Sequence, residues 1–265
     1  MTGTETDAVP RTGRLRLQGA RTLRGGRHLY WWVEILAVLA FYLVYSAVRN
    51  ANQGDAAEAF AHARQIIHLQ RLTGLYHEET LQDWALHFKP IVIACNYFYG
   101  SFHFVVTIGA AVFLYRRFPD DYPLFRNMLA LATTVALVGF VMYPLMPPRL
   151  LPESYGFVDT LAKYPTFWSF NSGAMSKISN QYAAMPSVHV AWATWCALAF
   201  VPRVRARRAK VLAASYPIVT VVVIVLTANH YLLDAAGGLA ILAAGYAAAH
   251  ILTRAGREAA RRHAT

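Results

Sequence analysis

The sequence predicts an all-α protein, a six-span transmembrane helical bundle. Three observations predict it: 56% of the 265 residues are hydrophobic, only 15% are charged, and the apolar residues gather in hydrocarbon-length runs separated by arginines. A soluble domain of this size carries roughly a quarter charged residues. The net charge of +11 would suit nucleic acid. The arginines, however, flank the apolar runs as the positive-inside pattern requires, and no zinc-finger or helix-turn-helix spacing accompanies them. No nucleic-acid partner is therefore expected. Cys95 and Cys196 both lie inside apolar runs, which suggests neither a disulfide framework nor a zinc site.

Residues 1–28 read as a basic disordered arm on the cytoplasmic side, its arginines lying against anionic headgroups. The first span is expected from Leu29 to Val48, with Trp31 and Trp32 at the interface. Glu34 is expected to snorkel to water, with pairing to a neighbouring helix as the alternative. Residues 51–88 are not a span. Ala59, Phe60, Ala63, Ile66 and Ile67 recur at helical spacing, and Leu81, Trp84 and Ala85 form a second apolar face beyond Gly74. Two amphipathic interfacial helices between spans 1 and 2 fit this pattern. They either shape a lateral entrance for lipid or simply pack on the bundle.

The second span, Ile91 to Tyr115, carries Asn96, Tyr99, His103 and Thr107 as one polar stripe. That stripe is either an inter-helix hydrogen-bond seam or the lining of a headgroup cavity. The third span, Met128 to Leu145, is expected to stop at Met146-Pro147-Pro148-Arg149, because prolines cannot continue a helix. A long aromatic-rich loop, 150–185, follows and is expected to cap a site on the extracytoplasmic side. The fourth span runs from Pro186 to near Val201. Beyond the 203–210 arginine cluster the chain is apolar for over forty residues, about 65 Å as one helix, roughly twice the hydrocarbon thickness. It must be two spans, turning at Ala228 to Asp234. The membrane domain thus covers residues 29–254, and 255–265 form a basic cytoplasmic tail.

The arm, the 116–126 turn, the 203–210 turn and the tail, counted from Arg254, hold 18 of the 25 Lys and Arg residues. An even span count puts all four on one face, expected to be the cytoplasmic face of the plasma membrane. Arg149, His189, His230 and Asp234 then fall together on the opposite face. Ionisable residues at the edge of a hydrocarbon-length segment are expensive and usually functional.

Their chemistry is coherent. His230 and Asp234 stand four residues apart, neighbours on one helical face. The carboxylate can hold one imidazole nitrogen and leave the other free to attack. His189 is a second imidazole, placed to protonate a leaving oxygen, and Arg149 offers a charged fork for phosphate oxygens. Pro186 and Ser187 open a helix whose free amides also bind anions. Together these parts make a phosphoryl-transfer site. The bland readings are a structural histidine, a helix-stopping arginine and a structural His–Asp bond. A metal site would need further ligands at suitable spacing, so neither a metal nor another cofactor is expected.

The motifs resemble those of the type 2 phosphatidic acid phosphatase superfamily, whose six spans carry K-x6-R-P, P-S-G-H and S-R-x5-H-x3-D. Pro147-Pro148-Arg149 is similar to the end of the first, Pro186-Ser187-Val188-His189 to the second, and His230-x3-Asp234 to the third. The resemblance covers roughly residues 50–250 and is nearest to the inositolphosphotransferase and inositol phosphorylceramide synthase-like branch, where Pro-Ser-Leu-His is usual. It implies a phosphohistidine on His230 oriented by Asp234, with His189 as acid and Arg149 and Ser187 holding phosphate. Met142, Leu150, Val188 and Ile224 replace a Lys, a Pro, a Gly and an Arg of the phosphatase pattern. The clamp is thus one Lys and one Arg short, and Lys177, Asn180, Gln181 or Asn229 are candidate donors in their place. Asn96, Tyr99 and His103 are candidate cavity-lining residues. The expected partners are a lipid phosphate substrate, membrane lipids, and inositol, a lipid alcohol or water as acceptor. A strict lipid phosphate or polyprenyl (pyro)phosphate phosphatase is the alternative, and a non-catalytic lipid carrier is the rival from another class.

Overall fold

A computed structural model describes residues 20–24, 28–52, 54–166 and 181–262, with side chains to Arg254. The chain is mostly helical. Ala20–Thr22 (β1) and His28–Tyr30 (β2) pair antiparallel, with Ala20 opposite Tyr30. The end of the expected disordered arm is therefore a small hairpin, docked on the bundle through Arg24 and Asp120. Ten helices follow among the described residues: α1 (Trp31–Ala51), α2 (Ala56–Leu72), α3 (Glu78–Leu86), α4 (Lys89–Tyr97), α5 (His103–Arg117), α6 (Tyr122–Met142), α7 (Thr160–Lys163), α8 (Val188–Phe200), α9 (Arg207–Leu226) and α10 (Leu232–Arg262). A π-helical turn, Phe98–Phe102, joins α4 to α5 into one rod.

Five helices are long and apolar enough to cross a membrane: α1, the α4–α5 rod, α6, α9 and α10. A chain with five such helices is an integral membrane protein. The expected fourth span is the exception. α8 holds 13 residues, because the chain before it stays irregular. Ser187 donates its backbone N–H to the Asp234 carbonyl at 3.0 Å rather than to a helix of its own. Pro186 wedges against Gly139 and Gly237, where a Cβ would lie 2.8 and 3.2 Å from the proline ring.

Several boundaries move for physical reasons. α6 starts at Tyr122, six residues before the expected Met128, with Pro123 in its first turn, where a missing N–H costs nothing. It ends at Met142, because Pro144 disfavours the α conformation at Tyr143; the Pro147-Pro148 pair is not the stop. Leu145 instead donates to the Tyr182 carbonyl and bridges in parallel to Ala183. The turn between the last two long helices falls at residues 227–231, overlapping the expected Ala228 to Asp234 but leaving Leu232, Leu233 and Asp234 in the first turn of α10. α10 continues as helix through Arg262, past the expected start of the tail.

Glu34 does not snorkel. It is buried, accepting from Arg126 Nη1 at 2.7 Å and from the Tyr122 hydroxyl at 3.1 Å, so α1 is pinned to α6. Breaking one side of a buried pair leaves an uncompensated charge, but Arg126 reaches partly to water, which reduces the loss. Glu34→Ala is expected to lower stability by about 1–3 kcal/mol, read as an earlier thermal transition in detergent with catalysis in the surviving fold intact.

The amphipathic stretch packs rather than floats. Ala59, Ala63, Ile66 and Ile67 of α2 meet Leu145, Met146, Leu151, Phe157, Ala228 and Tyr231. α6 lies along α10, where Gly245 lets the backbones approach: a Cβ there would meet Met128 O and Ala132 N at 2.8 Å. The start of α8, the end of α9 and the start of α10 gather at one end of the bundle. Arg126, Arg203 and Arg207 sit at the other.

Candidate active site

The 227–231 turn presents the pair that the sequence singled out. Its amides at Asn229 and His230 both donate to the Ile224 carbonyl, at 3.0 and 3.2 Å. Ala228 takes a φ of 51°, a left-handed conformation that costs a residue with a Cβ about 1 kcal/mol or more. In that conformation Ala228 turns its carbonyl to the Arg149 N–H, 2.8 Å away.

His230 is buried. Its Nδ1 lies 2.7 Å from the Ala184 carbonyl and 3.2 Å from Asp234 Oδ2. Both partners are acceptors, so Nδ1 carries the hydrogen and Nε2 keeps the lone pair. Asp234 is fully buried, and its Oδ2 also accepts from the Tyr231 N–H at 2.9 Å. Its other oxygen is enclosed with no hydrogen-bond partner among the described residues. Tyr231 anchors the turn by donating to the Met146 carbonyl at 3.0 Å. Burial pushes its phenol well above the usual range, so it stays a neutral donor.

His189, in the first turn of α8, stands with its ring 5.6 Å from that of His230. Tyr99 stacks on it at 4.3 Å and His103 meets it edge-on at 4.4 Å. Arg149 approaches from the 3₁₀ turn Pro148–Leu150. Its Nε donates to Asn229 Oδ1 and its Nη1 to Asp159 Oδ2, each at 3.0 Å. The second arm of its fork has no partner among the described residues. Asn229 is held in turn by Thr227.

The structure thus brings together His230, Asp234, His189, Arg149, Asn229, Tyr99 and His103. The rest of the predicted set divides. Ser187 is fully buried and caps α8, its Oγ accepting from the Val190 N–H at 3.5 Å. Asn96 is tied to the Thr160 backbone and side chain, and Thr107 to Cys196, so the polar stripe of the second span serves three different neighbours. Gln181 is described, half-buried at the start of the strap before α8. Lys177 and Asn180 lie outside the described residues, as does most of the aromatic part of the expected capping loop. Among the described residues no three His, Cys, Asp or Glu side chains gather as metal ligands would.

Two site residues escaped sequence reasoning. Asp159 pairs with Arg149 through Oδ2 while its Oδ1 accepts from the Leu161 and Ala162 amides. An Asp-Thr pair opening a short helix is a readable cap signal; its bond to Arg149 is not. Glu78, fully buried, accepts from the Leu232 N–H at 2.8 Å and also from Gln70, locking α2 and α3 onto the start of α10. Only the glutamate's place in the first turn of an amphipathic helix hinted at it.

A helical membrane protein with two facing imidazoles, an oriented carboxylate and an arginine at one end of its bundle is the class that fold and site define. A family model described as the PAP2 superfamily matches residues 64–248, and the chain belongs to that superfamily. Membership suggests a lipid phosphatase or phosphotransferase. No curated protein and no solved structure gives a match.

Proposed function

We propose that the protein is a lipid phosphotransferase of six spans, α8 being the short one, working through a phosphohistidine on His230. The observation that carries this reading is the pair of rings 5.6 Å apart, with Nδ1 of His230 occupied by two acceptors. Nε2 of His230 attacks phosphorus, the bond from phosphorus to the leaving oxygen breaks, and His189 supplies that oxygen with a proton. In the second half an acceptor hydroxyl gives its proton to His189 and attacks phosphorus. The phosphorus–nitrogen bond then breaks and His230 is restored. Asp234 holds the imidazole in register and offsets the charge that develops on it.

The clamp's charge supports transfer of a phospho-headgroup from a phosphodiester. Arg149 is paired with Asp159, and Ile224, which replaces the motif arginine, is fully buried in an apolar cluster. A site of such low net positive charge suits a monoanionic diester better than a dianionic monoester. The acceptor is inositol or a lipid alcohol, with water the competitor. The test is a panel of radiolabelled lipid monoesters and diesters, with and without inositol or lipid alcohols, scored for free phosphate, new lipid and acid-labile phosphoprotein. Passage of lipid across the bilayer without any of the three products would leave a carrier instead.

We further propose that the basic end faces the cytoplasm and the site faces outward across the plasma membrane. Both native cysteines are buried and Ser154, a few residues beyond Arg149 in the chain, is exposed. Ser154→Cys is expected to react with an impermeant thiol reagent on intact cells. Labelling only after lysis would reverse the orientation.

A further inference from the structure

We propose that Tyr99 and His103, presented by the π-helical turn of the second membrane rod, are positioning residues for His189. The inference rests on the phosphoryl-transfer reading and adds to it the means by which the proton donor is aimed. His189 sits in the opening turn of α8 and, among the described residues, has no carboxylate partner of the kind that holds His230. Its ring donates to the Tyr99 backbone carbonyl and is framed by two other rings. Tyr99 covers one face at 4.3 Å with the planes 23° apart, and His103 closes an edge at 4.4 Å and 64°. His103 is itself fixed, its Nδ1 donating to the Tyr99 carbonyl at 3.0 Å. Trp192, one turn further along α8, lies 5.8 Å from it and is anchored by its own Nε1 to Thr133 at 3.0 Å.

Tyr99 and His103 stand four residues apart and share one face of the rod. The π turn at residues 98–102 lies where both rings reach the same imidazole. Such turns recur at functional sites. On the phosphoryl-transfer reading, a leaving oxygen must meet His189 on the side turned to His230, whose ring is 5.6 Å away.

A misaimed acid matters only when the leaving group needs its proton. Alkyl alcohols leave poorly as oxyanions, whereas nitrophenol leaves well without help. Tyr99→Leu and His103→Leu are therefore compared with wild type on two phospholipid-like diesters, one with an alkyl and one with a nitrophenyl leaving group. The expected result is a fall in kcat of about tenfold on the alkyl diester, less than about twofold on the nitrophenyl one, and little change in KM. Tyr99→Phe, which keeps the stacked ring, is expected to restore the wild-type ratio. Equal losses on both diesters, or no loss on either for both leucine variants, would overturn the proposal and leave the rings as ordinary packing. A wild-type protein without activity on either diester would instead bring down the phosphoryl-transfer reading, and this proposal with it.

Discussion

His230→Ala is expected to lower turnover by at least about 10³-fold and to remove the acid-labile phosphoprotein altogether. The magnitude follows from the geometry. His230 is the imidazole whose Nδ1 is fully engaged, by Ala184 and Asp234, so its Nε2 is the lone pair held in one direction. Removing it removes the covalent route rather than slowing it. Asp234→Asn is a subtler probe. An amide at that position can present its nitrogen to His230 Nδ1 and flip the tautomer, putting the hydrogen on the attacking atom. A loss of about 10²–10⁴-fold is expected, with the phosphoprotein still detectable on long exposure. The check is trapping with labelled lipid, acid quench, and mass spectrometry of the peptide containing residue 230. Labelling of His230→Ala at wild-type levels would move the nucleophile elsewhere.

The second large effect lies at Arg149. Its guanidinium is the cation at the site among the described residues, and Arg149→Ala is expected to reduce kcat/KM by about 10²–10³-fold, the usual loss for one preorganised donor at a transition state. Arg149→Lys keeps the charge but not the fork that reaches Asn229 and Asp159 together, and is expected to recover only part of the loss. Asp159→Asn separates charge from geometry. The asparagine oxygen can still cap α7 through Leu161 and Ala162, while Arg149 loses its counter-charge. Preference is then expected to shift toward dianionic monoesters, measured as the ratio of kcat/KM on matched monoester and diester lipids. An unchanged ratio would show that Asp159 does not set the charge of the phosphate site.

Much of this arrangement was legible because membrane helices announce themselves as apolar runs, and the His-x3-Asp spacing does mark a pair in contact, although His230 stands in the turn before α10 and not on its face. The paired last helices followed from length alone. What the sequence hid was governed by contacts distant along the chain. Glu34 could snorkel or pair, and only the neighbouring α6, with Arg126 and Tyr122, decides between them. Glu78 and Leu232 are 154 residues apart, and no local pattern signals such a bond. The π turn at Phe98–Phe102 contains no proline to mark it, so the polar stripe was read as regular. Three prolines crowd the end of α6, and it is the first of them, Pro144, rather than the adjacent pair, that stops the helix.

The brevity of α8 has a bearing on chemistry. Thirteen residues make a rod of about 20 Å, and an irregular strap continues it, tied by the Ser187 N–H to the Asp234 carbonyl. In a longer α8 each carbonyl would be committed to the helix's own hydrogen bonds. In the strap the Ala184 carbonyl is left over, and it is the group that takes His230 Nδ1 at 2.7 Å. Forgoing a turn of helix thereby supplies the proposed nucleophile with one of its two anchors.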